Sequence, residues 1–138
     1  MKFSPHVRYA IRVLFEIEKE GSSLSLSVLS DRTGIAFRAV EYVHSVLKMH
    51  GVTDSVIGQK GGIIIKKPLA CVTVGELVMM FDGGIEFFVC NGKSGKDCPQ
   101  KDDCKTNELC GEITARMMSV LNQTSLASIL KQASRVSE

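Results

Sequence analysis

The 138-residue sequence predicts a mainly α fold interrupted by one small β-hairpin. Three observations lead there. Apolar residues recur at helical spacing through the first part of the chain, the pattern then switches to two short β-rich runs around a glycine-rich tip, and helical spacing returns before and after a stretch rich in cysteine and loop-forming residues. A hydrophobic content of 44% supplies enough apolar side chains for one core.

From His6 to about Glu20, Val7, Ile11, Leu14, Phe15 and Ile17 form an apolar stripe while Arg8, Arg12, Glu16 and Lys19 turn away, which predicts an amphipathic first helix. Gly21-Ser22-Ser23 ends it. A short second helix holds Leu26, Val28 and Leu29 and stops at Gly34, a residue suited to the left-handed conformation after a helix end. A third follows almost at once, with Phe37, Val40, Val43 and Leu47 on one side and Gly51 closing it. Two short helices joined by a tight glycine turn make a helix-turn-helix.

Val52 to Ile57 and Ile63 to Lys66 are β-rich and flank Gly58-Gln59-Lys60-Gly61-Gly62, so a hairpin is expected. A helix-turn-helix followed directly by a hairpin is a winged helix, and residues 1–70 read as a winged helix-turn-helix DNA-binding region. The glycine-rich tip is not a nucleotide cradle, for it lacks the Gly-Lys-Ser/Thr ending and the following helix.

Residues 71–138 form the second region. Thr73 and Glu76 have the spacing of a capping box, which predicts a helix from Val74 to Phe81, and Gly83-Gly84 stops it. Residues from about 84 to 106 read as a loop through Asn91-Gly92, Ser94-Gly95 and Pro99. From Asn107 to Asn122, Leu109, Ile113, Met117, Val120 and Leu121 form one stripe that Cys110, Ala115 and Met118 extend, so this long helix is expected to bury more than one face. Thr124-Ser125 caps a final helix with Leu126, Ile129 and Leu130, before a frayed tail from Ser134.

Charge is divided unevenly. Residues 1–70 hold ten Lys or Arg against six Asp or Glu, a net of +4, and the remainder holds seven against nine, a net of −2. The basic half suits an anionic partner. On the third helix Arg38, Glu41, Ser45 and Lys48 share the face opposite Val40, Val43 and Leu47, as a helix reading the major groove requires. Arg38 suits guanine and Glu41 can accept from cytosine. Lys60 at the bare tip, with Lys66 and Lys67 at the hairpin's base, suits the phosphate backbone or the minor groove.

Four of the five cysteines, Cys90, Cys98, Cys104 and Cys110, are separated by seven, five and five residues. No apolar run is long enough to cross a bilayer, and charge interrupts the start before a signal-like run could form, so a cytoplasmic location is expected. In reducing cytosol, clustered thiols point to metal ligation or redox sensing rather than disulfides. Soft thiolates suit an iron–sulfur cluster, zinc or copper(I), and the spacing alone does not choose among them. Cys71 reads as an inert core cysteine, and Met79-Met80 and Met117-Met118 as adaptable core packing. His6, His44 and His50 are not read as ligands, although His6 could reach the site from a partner chain. No Cys-x-x-Cys, Ser/His/Asp set or paired catalytic carboxylates is present, which argues against an enzyme.

Arg8-Tyr9-Ala10, Thr33-Gly34-Ile35, Leu47-Lys48-Met49-His50-Gly51-Val52, Gly58 with Gly61-Gly62, and Val74-Gly75-Glu76-Leu77 before the cysteine loop occur in one order along nearly the whole chain. In this the sequence resembles the winged-helix regulators that include IscR, NsrR and CymR. The resemblance implies a homodimer held by the long C-terminal helix on a pseudo-palindromic DNA operator. It also implies an iron–sulfur cluster, 2Fe-2S or 4Fe-4S, ligated by Cys90, Cys98 and Cys104 and responsive to redox state, nitric oxide or iron. Asn107 stands where IscR-like members place a histidine, Cys110 lies one turn further, and Ile57 stands where members often have a wing arginine. Two alternatives stay open: a cluster-free regulator using a thiol switch or zinc, and an interaction protein that binds a metabolic enzyme.

Overall fold

The computed structural model describes residues 2–85 and 103–136. Within them the chain forms α1 (Pro5–Glu20), α2 (Leu26–Thr33), α3 (Phe37–Met49), β1 (Thr53–Val56), β2 (Gly62–Ile65), one 3-10 turn (Leu69–Cys71), α4 (Val74–Asp82), α5 (Lys105–Asn122) and α6 (Leu126–Val136). The mainly α winged architecture expected from the sequence is the one found. The last helix runs further than expected, into the segment read as a frayed tail.

Pro5 opens α1, where its fixed φ fits and its missing N–H removes no helical bond. The buried face is Val7, Ala10, Val13, Leu14 and Ile17. Ile11 and Phe15, expected in the stripe, lie half-buried at its edges because Val7, Ala10, Leu14 and Ile17 already follow the three- and four-residue spacing. In α2 the Ser25 hydroxyl accepts the Val28 N–H at 3.2 Å. Gly34 takes φ 70° and donates its N–H to the Ser30 carbonyl at 3.0 Å, which turns the chain tightly enough for α3 to begin at Phe37. No side chain caps α3 at Ala36, so its placement depends on the buried Val40, Val43, Val46 and Leu47.

β1 and β2 pair antiparallel, with Thr53 opposite Ile65 and Val56 opposite Gly62. A two-stranded hairpin is marginal alone. This one is anchored by Leu24, whose N–H donates to Ile63 at 3.1 Å and whose carbonyl accepts from Ile63 at 2.7 Å. Ile63 itself enters a core cluster with Val13, Ile17, Leu24, Leu29, Ile35 and Val40.

The larger cluster joins the two halves of the chain. Val7, Ala10 and Leu14 of α1 and Val43 and Leu47 of α3 pack with Val72, Val74, Leu77, Val78 and Leu126. The expected capping box starts α4: Thr73 Oγ1 accepts the Glu76 N–H at 3.1 Å and Glu76 Oε2 accepts the Thr73 N–H at 3.0 Å. Burial pushes the Glu76 carboxyl up, but the Thr73 amide and the Lys67 ammonium, 2.9 Å away, outweigh it and hold the pKa below its ordinary value. Val74 and Leu126 donate backbone bonds to Thr124 and Val72, each at 2.9 Å, and so tie α4 to the start of α6.

Three burial expectations are corrected. Cys71 is exposed, because Leu69 and Val72 take the core positions around the 3-10 turn. Met79 is also exposed, since Leu77 and Val78 fill the α4 core face, while Met80, Met117 and Met118 are half-buried. In α5 only Cys110 is buried, while Leu109, Ile113 and Val120 face outward in the single chain. Among the described residues no helix is long and apolar enough to cross a membrane.

Candidate nucleic-acid interface and cysteine site

The outer face of α3 carries Arg38, Glu41, Ser45 and Lys48, all exposed. Arg38 and Glu41 form no ion pair among the described residues, so both groups are available to a ligand. The Ser45 hydroxyl donates to the Tyr42 carbonyl at 2.7 Å, which leaves its oxygen free to accept. Lys48 is partly engaged: its ammonium lies 3.5 Å from Ser55 Oγ and 4.0 Å from an Asp54 carboxylate oxygen on β1. Such exposed contacts are weak enough for a phosphate to displace.

Lys60 is exposed at the wing tip, and its carbonyl accepts the Ser23 hydroxyl at 2.7 Å. Glycine is required beside it. A Cβ on Gly62 would stand 2.5 Å from the backbone carbonyl of Leu24, the strand-like partner that anchors β2. Ile57, next to the tip, is 99% exposed.

Sequence reasoning set His44 aside as a ligand and did not foresee its contacts with the wing. His44 is buried on the inner side of α3, with Nδ1 3.1 Å from Thr53 Oγ1 and Nε2 3.0 Å from Ser55 Oγ. Burial, helped by the Lys48 charge and opposed by Asp54, holds its pKa below the ordinary histidine value. The available signal was a polar residue lying between Val43 and Leu47 on an otherwise apolar face.

Of the predicted metal ligands, Cys104 and Cys110 are described, whereas Cys90 and Cys98 lie outside the described residues, as does most of the expected loop at 84–106. Cys104 stands at the N-cap of α5 and is partly exposed. The backbone amides of Asn107 and Thr106 pull its thiol pKa below the usual value, against burial and the Glu108 charge. This is the environment of a thiolate ligand, and it fits a soft metal centre. Cys110 is 3% exposed. Six residues along a helix amount to about 9 Å of rise and a turn onto another face, which separates it from Cys104.

The cysteine region is connected to α3 through α4. Asp82, the last residue of α4, accepts the Ser4 N–H at 3.0 Å. Phe81 stacks on His6 with centroids 6.3 Å apart, and His6 meets Tyr42 of α3 at 4.8 Å. The end of α4, from which the chain continues toward Cys90, is therefore in contact with α1 and α3.

The same architecture occurs in known proteins. The chain is 28% identical over 132 residues to the HTH-type transcriptional regulator IscR of Escherichia coli, covering 94% of this chain and 80% of the relative. Among solved structures it is similar to T. potens IscR, at 23% identity and a TM-score of 0.75 over 96% of this chain and 88% of that one. It is similar also to CymR, the global cysteine regulator of B. subtilis, at 20% identity and a TM-score of 0.74 over 96% and 98% of the two chains. The Rrf2 family, described as iron-dependent transcriptional regulators, matches residues 3–132, and so the chain belongs to the Rrf2 family of DNA-binding transcriptional regulators and is not an enzyme.

Proposed function

We propose that the protein is a homodimer on a pseudo-palindromic operator, with DNA affinity tuned by an iron–sulfur cluster on Cys90, Cys98 and Cys104. The observation that carries this reading is α5. One helix begins at a thiolate-stabilising cap, Cys104, and bears an exposed apolar row of Leu109, Ile113 and Val120. Such a row calls for a covering surface, and a second copy of the same helix is self-complementary to it. Sensing and pairing then share a rigid element, in residues 71–138, while residues 1–70 hold the DNA.

The cluster, when bound, supplies a centre whose charge and bonding change with redox state, nitric oxide or iron supply. The chain's own residues do the rest. Cys104 is presented at the start of α5, while at the end of α4 Asp82 holds Ser4 and Phe81 packs on His6, which in turn meets Tyr42 of α3. Cys110 joins the ligand set only where the first turns of α5 unwind. DNA affinity then reports the state of the cluster as a coupling between two sites.

Anaerobically purified protein is expected to absorb in the visible range with matching iron and sulfide, and Cys104→Ala to lose that absorbance. A colourless sample that resists reconstitution would replace the cluster with a thiol switch or zinc, a reading favoured by the lowered Cys104 thiol pKa.

On DNA, Arg38, Glu41, Ser45 and Lys48 read and hold the major groove while Lys60 holds the backbone. Lys60→Ala should weaken binding to all sequences and reduce the salt slope by about 1.8, about 0.9 for each of the dimer's two wings. Glu41→Ala should instead relax the choice at one base pair, by about 1–3 kcal/mol of discrimination. Binding isotherms on specific and random duplexes across salt separate the two. Equal losses on both duplexes for both variants would contradict this division.

A further inference from the structure

His44 lies where the two DNA-facing elements meet. It is 9% exposed, and its ring nitrogens reach Thr53 and Ser55, which are alternate residues and so lie on one face of β1. The ring thus spans two successive side chains of the wing's first strand. A neutral imidazole offers one donor and one acceptor and a hydroxyl serves as either, so both contacts are satisfied in either tautomer. Lys48, one turn further along α3, adds a contact to Ser55 and lies near Asp54.

The polar attachments of β2 and the tip lead elsewhere, while Ile63 shares a core cluster with Val40 of α3. Leu24 pairs with Ile63, and Ser23 donates to the Lys60 carbonyl, both from the segment between α1 and α2. On the α3 side, the Val52 N–H bonds the Leu47 carbonyl at 2.9 Å at the hairpin's base. Along β1 itself the polar link to α3 is made by His44 and Lys48.

We propose that His44 is a positioning residue for DNA recognition, fixing β1, and with it Lys60 at the tip, at a set height against the groove-reading face of α3. The inference rests on the DNA-binding function of the chain and adds a residue that touches no DNA. Its signature is coupling: Lys60 contributes fully only while His44 holds the strand.

A double-substitution cycle on the full chain tests this, using wild type, Lys60→Ala, His44→Phe and the double variant. Binding is measured on a duplex recovered by selection from random sequences, across a salt series, at a temperature where circular dichroism shows each variant folded. In the wild-type background Lys60→Ala should weaken binding about fivefold and lower the salt slope by about 1.8, about 0.9 for each wing of the dimer. In the His44→Phe background the same change should cost less than about twofold and leave the slope unaltered. A role in stability alone would leave the Lys60→Ala effect the same in both. Should His44→Phe not fold, Ser55→Ala, at an exposed residue, carries the same comparison with a partial loss of coupling. A wild type that binds DNA, with equal or absent Lys60→Ala effects in the two backgrounds, overturns the proposal alone. A wild type that binds no duplex overturns it together with the function beneath it.

Discussion

Val120→Glu should turn the protein into a folded monomer and lower operator affinity by about two to four orders of magnitude. Val120 is 63% exposed in the single chain and lines, with Arg116, Met117 and Leu121, a shallow groove of about 220 Å³ on α5. At so exposed a position the substitution should change the fold's own stability by no more than about 0.5 kcal/mol. In a two-fold dimer the same patch meets itself, so one substitution places two like-charged carboxylates in an apolar contact. DNA affinity falls with the dimer because two α3 helices joined through α5 bind the second half-site intramolecularly, and a monomer loses that advantage. Light scattering on the eluting protein and a binding isotherm measure both quantities. A Val120→Glu protein that stays dimeric with wild-type affinity would remove α5 as the pairing surface.

Most of the winged helix was legible in the sequence because its signals are local. Gly34 announces the turn between α2 and α3, Thr73 and Glu76 announce α4, and the change of period at Val52 announces the wing. Burial was less legible. Cys71 looks like a core residue beside Leu69, yet a 3-10 turn rotates it outward, and no periodicity marks so short an element. α5 looks doubly buried because its apolar residues are many, but composition does not say whether the covering surface belongs to the same chain. His44 was missed for a different reason. Its partners, Thr53 and Ser55, stand nine and eleven residues away across a turn, and a pairing through side-chain hydroxyls leaves no pattern in the sequence. The cysteines stand out in the sequence by spacing, while the lowered thiol pKa of Cys104 depends on where α5 begins.

Leu47→Ala should be among the most destabilising single changes in the DNA-binding half, costing about 2–5 kcal/mol. Leu47 is fully buried in the cluster that joins α1, α3 and α4, and its carbonyl also receives the Val52 N–H where the chain turns into the wing. Truncation removes the transfer energy of the lost atoms and leaves a cavity that α1 and α4 cannot both close. Against a typical total of about 5–15 kcal/mol this is a large fraction, and Tm should fall on the order of 10 °C. Met49, two residues further along the same helix and 75% exposed, is the matched control: Met49→Ala should stay within about 0.5 kcal/mol of wild type. Thermal unfolding at one protein concentration makes the comparison fair for a chain proposed to dimerise. Because Leu47 lies opposite the face proposed to read the groove, DNA affinity measured well below the variant's Tm should remain close to wild type, whereas Lys60→Ala should do the reverse and spare Tm while weakening binding. Equal thermal shifts for Leu47→Ala and Met49→Ala would mean that α3 is not held by the core described here, and the placement of its outer face would fall with it.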